Sequence, residues 1–338
     1  MTPAIDASVF VPPAWQSISE AHQRIAPRIH RTPVLTCASL DKIAGAALYF
    51  KCENLQKTGS FKIRGAANAI LSLTDQEASR GIITHSSGNH GAAVACAAGW
   101  RNIPAWIVMP ENCSAIKCRA VESYGGKIIF CEPTVSARAA AAAKIQSETG
   151  AMMIHPYDND LIIAGQATAA KELLEDFPQI EAVLAPVSGG GLLSGSCLGA
   201  KGVAPSVRIF GCEPSRADDA YRSMTTGTLQ TQEASDTIAD GLRASLAPRT
   251  FAILRQQLER ILLVSEEEIV AATRLIWERM KMIVEPSSAI ALAPLLQPSG
   301  VASLFGSREG STTHSSGKAQ IGIILSGGNV DLSVFRFE

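Results

Sequence analysis

Apolar and polar positions divide the chain into short strand-like and longer helix-like pieces that follow one another. Residues 15–26 read as a helix ending near Pro27, His30-Arg31-Thr32-Pro33 is a turn signal, and residues 46–50 are a short β-like run leading into Lys51-Cys52-Glu53. Residues 61–73 have helical spacing. Strand-like and helix-like runs then alternate at 81–85, 91–98, 105–109, 115–123, 127–131, 137–147 and 152–155, and again at 165–176, 182–187, 192–201 and 207–212. Strands alternating with helices of this length predict parallel sheets with helices on both faces. Two Gly-rich breaks interrupt the pattern, Ser86-Ser87-Gly88-Asn89-His90-Gly91 and Ser188-Gly189-Gly190-Gly191. Residues 298–320, rich in Ser, Gly and Thr, predict a loop or disordered connector, followed by a last strand at 321–325 that ends in Ser326-Gly327-Gly328-Asn329. There is no internal repeat.

Composition narrows the class. With 338 residues, 46% of them hydrophobic, the chain can bury a large core, and its length predicts about two domains. The formal charge is −1, and charged residues make up 18% and aromatic residues 5%. That leaves neither the basic footprint nor the stacking platforms of a nucleic-acid binder. The apolar runs are broken well short of a membrane span. The opening MTPAIDASVFVPPAW has no basic stretch followed by an apolar run, so no signal peptide is expected. Eight cysteines without C-x-x-C spacing predict reduced thiols in a cytoplasmic protein, not a disulfide framework.

Four segments could carry chemistry. In Gly59-Ser60-Phe61-Lys62-Ile63-Arg64-Gly65 a lysine sits at a turn-to-helix junction between apolar neighbours. Desolvation disfavours the charged amine, and a neutral amine can form a Schiff base or act as a base. The plainer alternative is a snorkelling surface lysine. Ser188-Gly189-Gly190-Gly191 lies between an apolar strand and a helix, where consecutive backbone N–H groups and the helix N-terminus make a phosphate cradle. Ser86-Ser87-Gly88-Asn89-His90-Gly91 has the same strand-to-helix setting and suits a carboxylate, or serves only as an N-cap through Ser86 or Ser87. Ser326-Gly327-Gly328-Asn329 alone is an ordinary turn.

The rival for the glycine loop is a dinucleotide fingerprint, G-x-G-x-x-G with an acid about 20 residues on. Gly189, Gly191 and Glu213 fit it, but Ser194 breaks it at the third glycine; an NAD-dependent oxidoreductase is the function that goes with it. Gly317-Lys318 is followed by Ala319 and fails as a P-loop, and neither H-E-x-x-H nor G-x-S-x-G occurs.

Taken together and in order over roughly residues 15–335, these segments resemble the serine racemase and serine/threonine dehydratase family of fold-type II pyridoxal-phosphate (PLP) enzymes. The resemblance also rests on Lys51-Cys52-Glu53-Asn54, Glu213-Pro214-Ser215-Arg216-Ala217-Asp218-Asp219, Thr237-Ile238-Ala239-Asp240-Gly241, Trp277-Glu278-Arg279-Met280-Lys281 and Val284-Glu285-Pro286-Ser287. It implies an α/β, two-domain, tryptophan synthase β-like fold of twisted, parallel-rich sheets flanked by helices. A large PLP-binding domain would comprise residues 1–52 and 156–338, and a small inserted domain residues 53–155 would form the mobile side of the cleft.

The resemblance further implies roles. Lys62 would be joined to PLP and move the Cα proton on one face. Ser188, Gly189, Gly190, Gly191 and Leu192 would hold its phosphate, Asn89 its ring hydroxyl, Phe61 the ring side and Ser326 the pyridine nitrogen, with Gly241 and Glu285 also at the cofactor. A hydroxyl at Ser326, instead of a carboxylate, weakens the electron sink and favours quick elimination. Ser86, Ser87, Gly88, Asn89 and His90 would take the substrate. A serine at Ser87 resembles the racemase branch, because two acid–base groups flanking one carbon permit racemisation. Elimination needs only proton removal and loss of the β-hydroxyl, and would act on serine, threonine or 3-hydroxyaspartate. Glu213, Asp219 and the Ala217 carbonyl match divalent-cation ligands for Mg²⁺, Ca²⁺ or Mn²⁺. A homodimer is implied. ATP as effector is matched by Lys57, Thr58, Tyr124, Lys281 and Asn329 but not by Cys37, Ala38 and Ala92. Ser188 also departs from an animal pattern with a fourth glycine, and His155-Pro156-Tyr157 is closer to dehydratases.

Overall fold

The computed structural model describes residues 10–86, 88–232, 235–305 and 317–332. Their strands are β1 (Val34–Leu35), β2 (Ala47–Cys52), β3 (Ile82–His85), β4 (Ala105–Pro110), β5 (Lys127–Cys131), β6 (Met152–Met153), β7 (Ala182–Pro186), β8 (Arg208–Pro214), β9 (Arg260–Val264) and β10 (Gln320–Leu325). One sheet has the order β1-β2-β10-β7-β8-β9 and the other β5-β4-β3-β6. All pairings are parallel except β1 with β2. The larger sheet thus draws on both ends of the chain and the smaller on its middle.

The apolar runs explain this arrangement. β7 and β10 are buried along their whole length, as strands covered on both faces must be. Alternate side chains feed different cores. Phe50, Leu184, Phe210 and Ile323 pack on one face, and Val183, Ala185, Ile209 and Ile324 on the other. In the smaller sheet Ile82, Ile107 and Met109 face one core, and Ile83 and Val108 another.

Two helices bring the sheets together. The Lys62–Leu71 and Asp160–Asp176 helices touch backbone to backbone: a Cβ on Gly165 would lie 2.5 Å from the Arg64 carbonyl oxygen. Beside this contact is a buried ionic cluster. Arg64 donates from Nε and Nη2 to Glu53 at 2.7 and 2.8 Å, and from Nη1 and Nη2 to Glu172 at 2.9 and 2.8 Å. Lys51 Nζ donates to Glu172 at 2.6 Å and to the Thr32 carbonyl at 2.9 Å, and the Thr32 hydroxyl donates to Glu53 at 2.5 Å. Two cations meet two carboxylates, so the charge cancels. Against the cost of burial, Arg64 and Lys51 hold the Glu172 carboxyl down to about 2.

Most runs read from the sequence are elements of the fold, with shifts that have local causes. The helix expected from residue 165 starts at Asp160, because the Asn159 side chain accepts from the Leu161 and Ile162 amides and caps it earlier. Gly165 is internal to that helix, where it permits the close contact. Residues 298–320 were expected as a loop, yet Gly300–Phe305 is a helix whose Leu304 is buried in the main core; residues 306–316 lie outside the described residues. The six residues of that helix, Gly-Val-Ala-Ser-Leu-Phe, are mostly apolar, and Val301 and Phe305 pack against the same core as Leu304. β1, β9 and the helices Pro248–Gln257 and Glu266–Leu275 gave no pattern that the sequence reading used. All eight cysteines are free, and no helix among the described residues is long and apolar enough to cross a membrane.

Removing one member of the buried cluster should strand its partners. Glu172→Ala is expected to destabilise the fold by about 3–5 kcal/mol, because Lys51 and Arg64 stay buried without their shared carboxylate. The measurement is the denaturant midpoint, and a loss below about 1 kcal/mol contradicts this account.

Candidate active site

The site lies where the loops after β7 and β10, neighbouring strands of the larger sheet, leave its carboxyl edge. That is where open parallel sheets form crevices. Lys62 begins its helix, with Phe61 just before it. The segment after β10 runs antiparallel to the segment preceding that helix. The Ser326 carbonyl accepts from the Phe61 amide at 3.0 Å, the Gly59 carbonyl accepts from the Gly328 amide at 2.9 Å, and Ser60 pairs with Gly327. Ser326 is buried beside this pairing.

The lysine is half-buried, not a solvent-facing side chain. Its Nζ lies over the Phe61 ring at 5.0 Å from the centroid and donates to the Pro156 carbonyl at 3.4 Å. Burial pushes the amine down to about 8, against the pull of the Glu285 carboxylate. A substantial neutral fraction therefore exists near neutral pH, which nucleophilic attack on an aldehyde requires.

The bend 188–191 follows β7 and opens the Gly191–Val203 helix, whose N-cap is Gly190 at φ +86. A Cβ on Gly189 would lie 2.4 Å from the Tyr157 ring, one on Gly191 2.9 Å from the Tyr157 Cβ, and one on Gly190 2.7 Å from the Thr250 Cβ. The bend thus runs in a slot between Tyr157 and Thr250 that accepts only glycine. The first amides of a helix have no intrahelical acceptor, so this end of a 13-residue helix suits a phosphate. The Ser188 hydroxyl donates to the Ala244 carbonyl and accepts from the Ala244 amide, both at 2.9 Å. Its side chain is therefore committed to backbone, and the cradle is left to the amides of Gly189, Gly190, Gly191 and Leu192.

Opposite lies a network around Asn89. Its Nδ2 donates to both Glu285 oxygens at 3.0 and 3.1 Å, and its Oδ1 accepts from Asn329 at 2.9 Å. Asn329 also donates to the Thr58 carbonyl at 2.7 Å. Thr58 has φ 65, a strained value for a β-branched residue, three positions before Phe61. Burial pushes the Glu285 carboxyl up to about 7, against the hydrogen bond from Asn89. The Gly241 amide donates to Ser287, two residues past Glu285, at 2.9 Å. A cavity of about 890 Å³ reaches Asn89 and Glu285 from the side of Lys117, Asp240 and Trp277. Lys117 and Asp240 form an ion pair across its mouth.

The loop after β3 has Ser86 and Gly88 half-buried, and the Ser86 hydroxyl accepts from the Gly88 amide at 3.3 Å. The helix Asn89–Gly99 has Gly88 as N-cap with no side-chain cap, so Ser86 does not merely close it. Ser87 lies outside the described residues. His90 is buried, its Nε2 3.1 Å from the Ile154 carbonyl, and burial with the nearby Lys62 lowers its pKa well below the usual value.

Glu213 and Asp219 are buried at the end of β8, with Ala217 between them. Glu213 accepts from the Ala220 and Tyr221 amides at 2.9 and 2.7 Å, and Asp219 from the Leu246 amide at 3.1 Å. Burial, with added repulsion from Asp218 on both and from Asp219 on Glu213, pushes Glu213 up to about 8 and Asp219 to about 6. Among the described residues no three His, Cys, Asp or Glu side chains converge, so a cation here would need carbonyl oxygen as well. Each Glu213 oxygen thus accepts one backbone amide and keeps a second lone pair.

The sequence singles out His155-Pro156-Tyr157 and Asn329 without showing which walls they form, and it gives no sign of Thr250. The available signal was a triple glycine, which implies crowding neighbours but does not name them.

The model of the family described as "Pyridoxal-phosphate dependent enzyme" matches residues 25–308. The chain is 48% identical over 318 residues to a serine racemase of Oryza sativa subsp. indica, covering 94% of this chain and 91% of that one. It is 43% identical over 321 residues to the beta-hydroxyaspartate dehydratase of Paracoccus denitrificans (strain Pd 1222), covering 95% and 97%. Its structure is similar to that of maize serine racemase, with a TM-score of 0.89, 45% identity and 96% of each chain covered. Agreement of this extent in sequence and in backbone leads to one conclusion: the chain belongs to the pyridoxal-phosphate dependent enzyme family.

Proposed function

We propose that this protein is a PLP-dependent enzyme of small hydroxy amino acids that racemises serine and also dehydrates it, with threonine and 3-hydroxyaspartate as further substrates for dehydration. The observation that carries the reading is the Lys62 amine, lowered toward neutrality and set near a glycine-only bend at a helix N-terminus. Likeness to serine racemases supports the first activity and likeness to a β-hydroxyaspartate dehydratase the second.

The residues fit the cofactor. Gly189, Gly190, Gly191 and Leu192 would hold its phosphate, Phe61 its ring side, Asn89, Gly241 and Glu285 its polar edge and Ser326 its ring nitrogen. When bound, PLP supplies an aldehyde for Lys62 and an electron sink for the charge left on the substrate Cα. Lys62 takes the Cα proton from one face. Ser86, Gly88 and their neighbours hold the substrate carboxylate. Ser87 returns a proton to the opposite face, which inverts the centre; loss of the β-hydroxyl instead gives elimination. We further assign residues 53–155 as a mobile inserted domain that excludes water as it closes, a divalent cation (Mg²⁺, Ca²⁺ or Mn²⁺) to Glu213, Asp219 and the Ala217 carbonyl, and a cytoplasmic homodimer as the working form. Hard oxygen donors on two buried carboxylates that form no ion pair among the described residues suit such a cation. The second reading, an ammonia-lyase without significant racemisation, is favoured by the dehydratase likeness and by His155-Pro156-Tyr157, and the role given to Ser87 separates it from the first.

Three outcomes are expected. The purified protein is yellow, borohydride bleaches it with label on Lys62, and Lys62→Ala is colourless; capture of added PLP by the stripped protein rises with pH with a midpoint near about 8. Ser87→Ala lowers serine racemisation at least about tenfold more than L-serine elimination, read by chiral product analysis beside a keto-acid assay; equal loss of both removes Ser87 from the second face. Chelation lowers the thermal midpoint and Mg²⁺ or Ca²⁺ restores it, by up to about 2.7 kcal/mol at hundredfold saturation, and Glu213→Gln abolishes the difference.

A further inference from the structure

His155 has no part in the mechanism above, yet the turn it begins touches both Lys62 and the glycine bend. It begins the turn His155-Pro156-Tyr157-Asp158 just after β6. Its Nδ1 accepts from the Asp158 amide at 2.8 Å and from the Tyr157 amide at 3.3 Å, so the imidazole closes the turn from the side-chain end. Two groups of that turn face the site. The Pro156 carbonyl accepts from Lys62 Nζ at 3.4 Å, and the Tyr157 ring forms the wall of the glycine bend.

The surroundings fix the imidazole itself. His85, at the end of β3, meets it edge-on with centroids 5.5 Å apart, and Tyr157 does the same at 4.7 Å. The turn is anchored from outside, where Arg249 donates to Asp158 at 3.0 Å and to Asp160 at 2.6 Å. The next residue, Thr250, donates its hydroxyl to the Gly189 carbonyl at 2.9 Å. Turn, bend and the Pro248–Gln257 helix therefore form one unit, with the His155 lone pair at its inner corner.

An acceptor at Nδ1 must carry no proton. The titratable and charged groups around His155 are His85 from β3, His90 from the Asn89–Gly99 helix, Tyr157 and Asp158 in the turn, Lys62 from its helix and Arg249 from the Pro248–Gln257 helix. Burial first, then His85, Lys62 and Arg249, hold the imidazole down to about 4, with Asp158 opposing. The ring is thus neutral at neutral pH, and with its proton on Nε2 it leaves Nδ1 as the acceptor.

We propose that His155 is a positioning residue of the PLP site, whose Nδ1 lone pair fixes the turn that aims the Pro156 carbonyl at the Lys62 amine and seats Tyr157 against the phosphate-holding bend. This rests on the reading that Lys62 and the bend hold PLP.

The test uses the full-length protein, stripped of cofactor and reloaded. His155→Asn keeps a short side-chain acceptor able to close the turn, and His155→Phe keeps a ring without one. The rate of PLP capture by Lys62 is followed against pH, and cofactor affinity by equilibrium dialysis. In His155→Phe the midpoint of capture should fall by about one pH unit, since a carbonyl that stabilises the ammonium form is no longer aimed at it. Affinity for PLP should fall about tenfold, the effect of one lost contact of this size. His155→Asn should stay within a few tenths of a unit of the unmodified protein. A folded His155→Phe with unchanged midpoint and affinity overturns the proposal, as does a folded His155→Asn as impaired as His155→Phe. A readout that needs no variant is the ¹⁵N spectrum of the histidines. His155 should hold its proton on Nε2 and leave Nδ1 free between about pH 5.5 and 8; a ring titrating near about 6.5 overturns the assignment. If the unmodified protein forms no linkage at Lys62, the cofactor reading fails, while the ¹⁵N spectrum still decides whether His155 closes the turn.

Discussion

A guanidinium sealed from water must find carboxylates, and here that requirement draws together three parts of the chain distant in sequence. Arg64 reaches Glu53 just past β2 and Glu172 in the Asp160–Asp176 helix, and Lys51 closes the circuit from the strand itself. A buried pair of this kind contributes little net stability over an apolar replacement of the same shape. What it supplies is register, because any other alignment leaves charges unmatched. Lys62 lies two residues before Arg64 on the same helix, so the geometry that satisfies the guanidinium also sets where the reactive amine emerges.

From that fixed helix the site follows by adjacency. The strand after which the glycines bend and the strand that ends in Ser326 are neighbours in the larger sheet, and the Ser326 carbonyl is hydrogen-bonded directly to the residue before Lys62. Burial makes the ionic forms of Lys62 and Glu285 costly together, moving the amine down and the carboxyl up until both titrate within reach of neutral pH. A cleft whose acid and base are brought toward neutrality suits proton transfer at carbon. The Thr58 backbone, in a strained conformation, is held by Asn329, which also bonds Asn89.

Much of the fold was legible because parallel strands buried on both faces leave continuous apolar runs, as β7 and β10 do. The short β1, and β9 with only two of its five residues buried, leave weaker traces. Lys62 and the bend were readable because a lysine among apolar neighbours and three successive glycines are locally unusual. The commitment of the Ser188 hydroxyl to Ala244, 56 residues away, was not readable, since hydrogen bonds between distant segments have no signature at either end.

The order of elements, the parallel sheets, the Lys62 amine and the glycine bend are set by local chemistry: periodicity, glycine's lack of a side chain and the polarity of a helix end. The identity of the groups that crowd those glycines, the carboxylates that neutralise Arg64, and the histidine that closes the turn under Lys62 came only with the tertiary structure. Each of these depends on a distance or an orientation in the packed chain, and the sequence has no measure of either until its helices and sheets are packed.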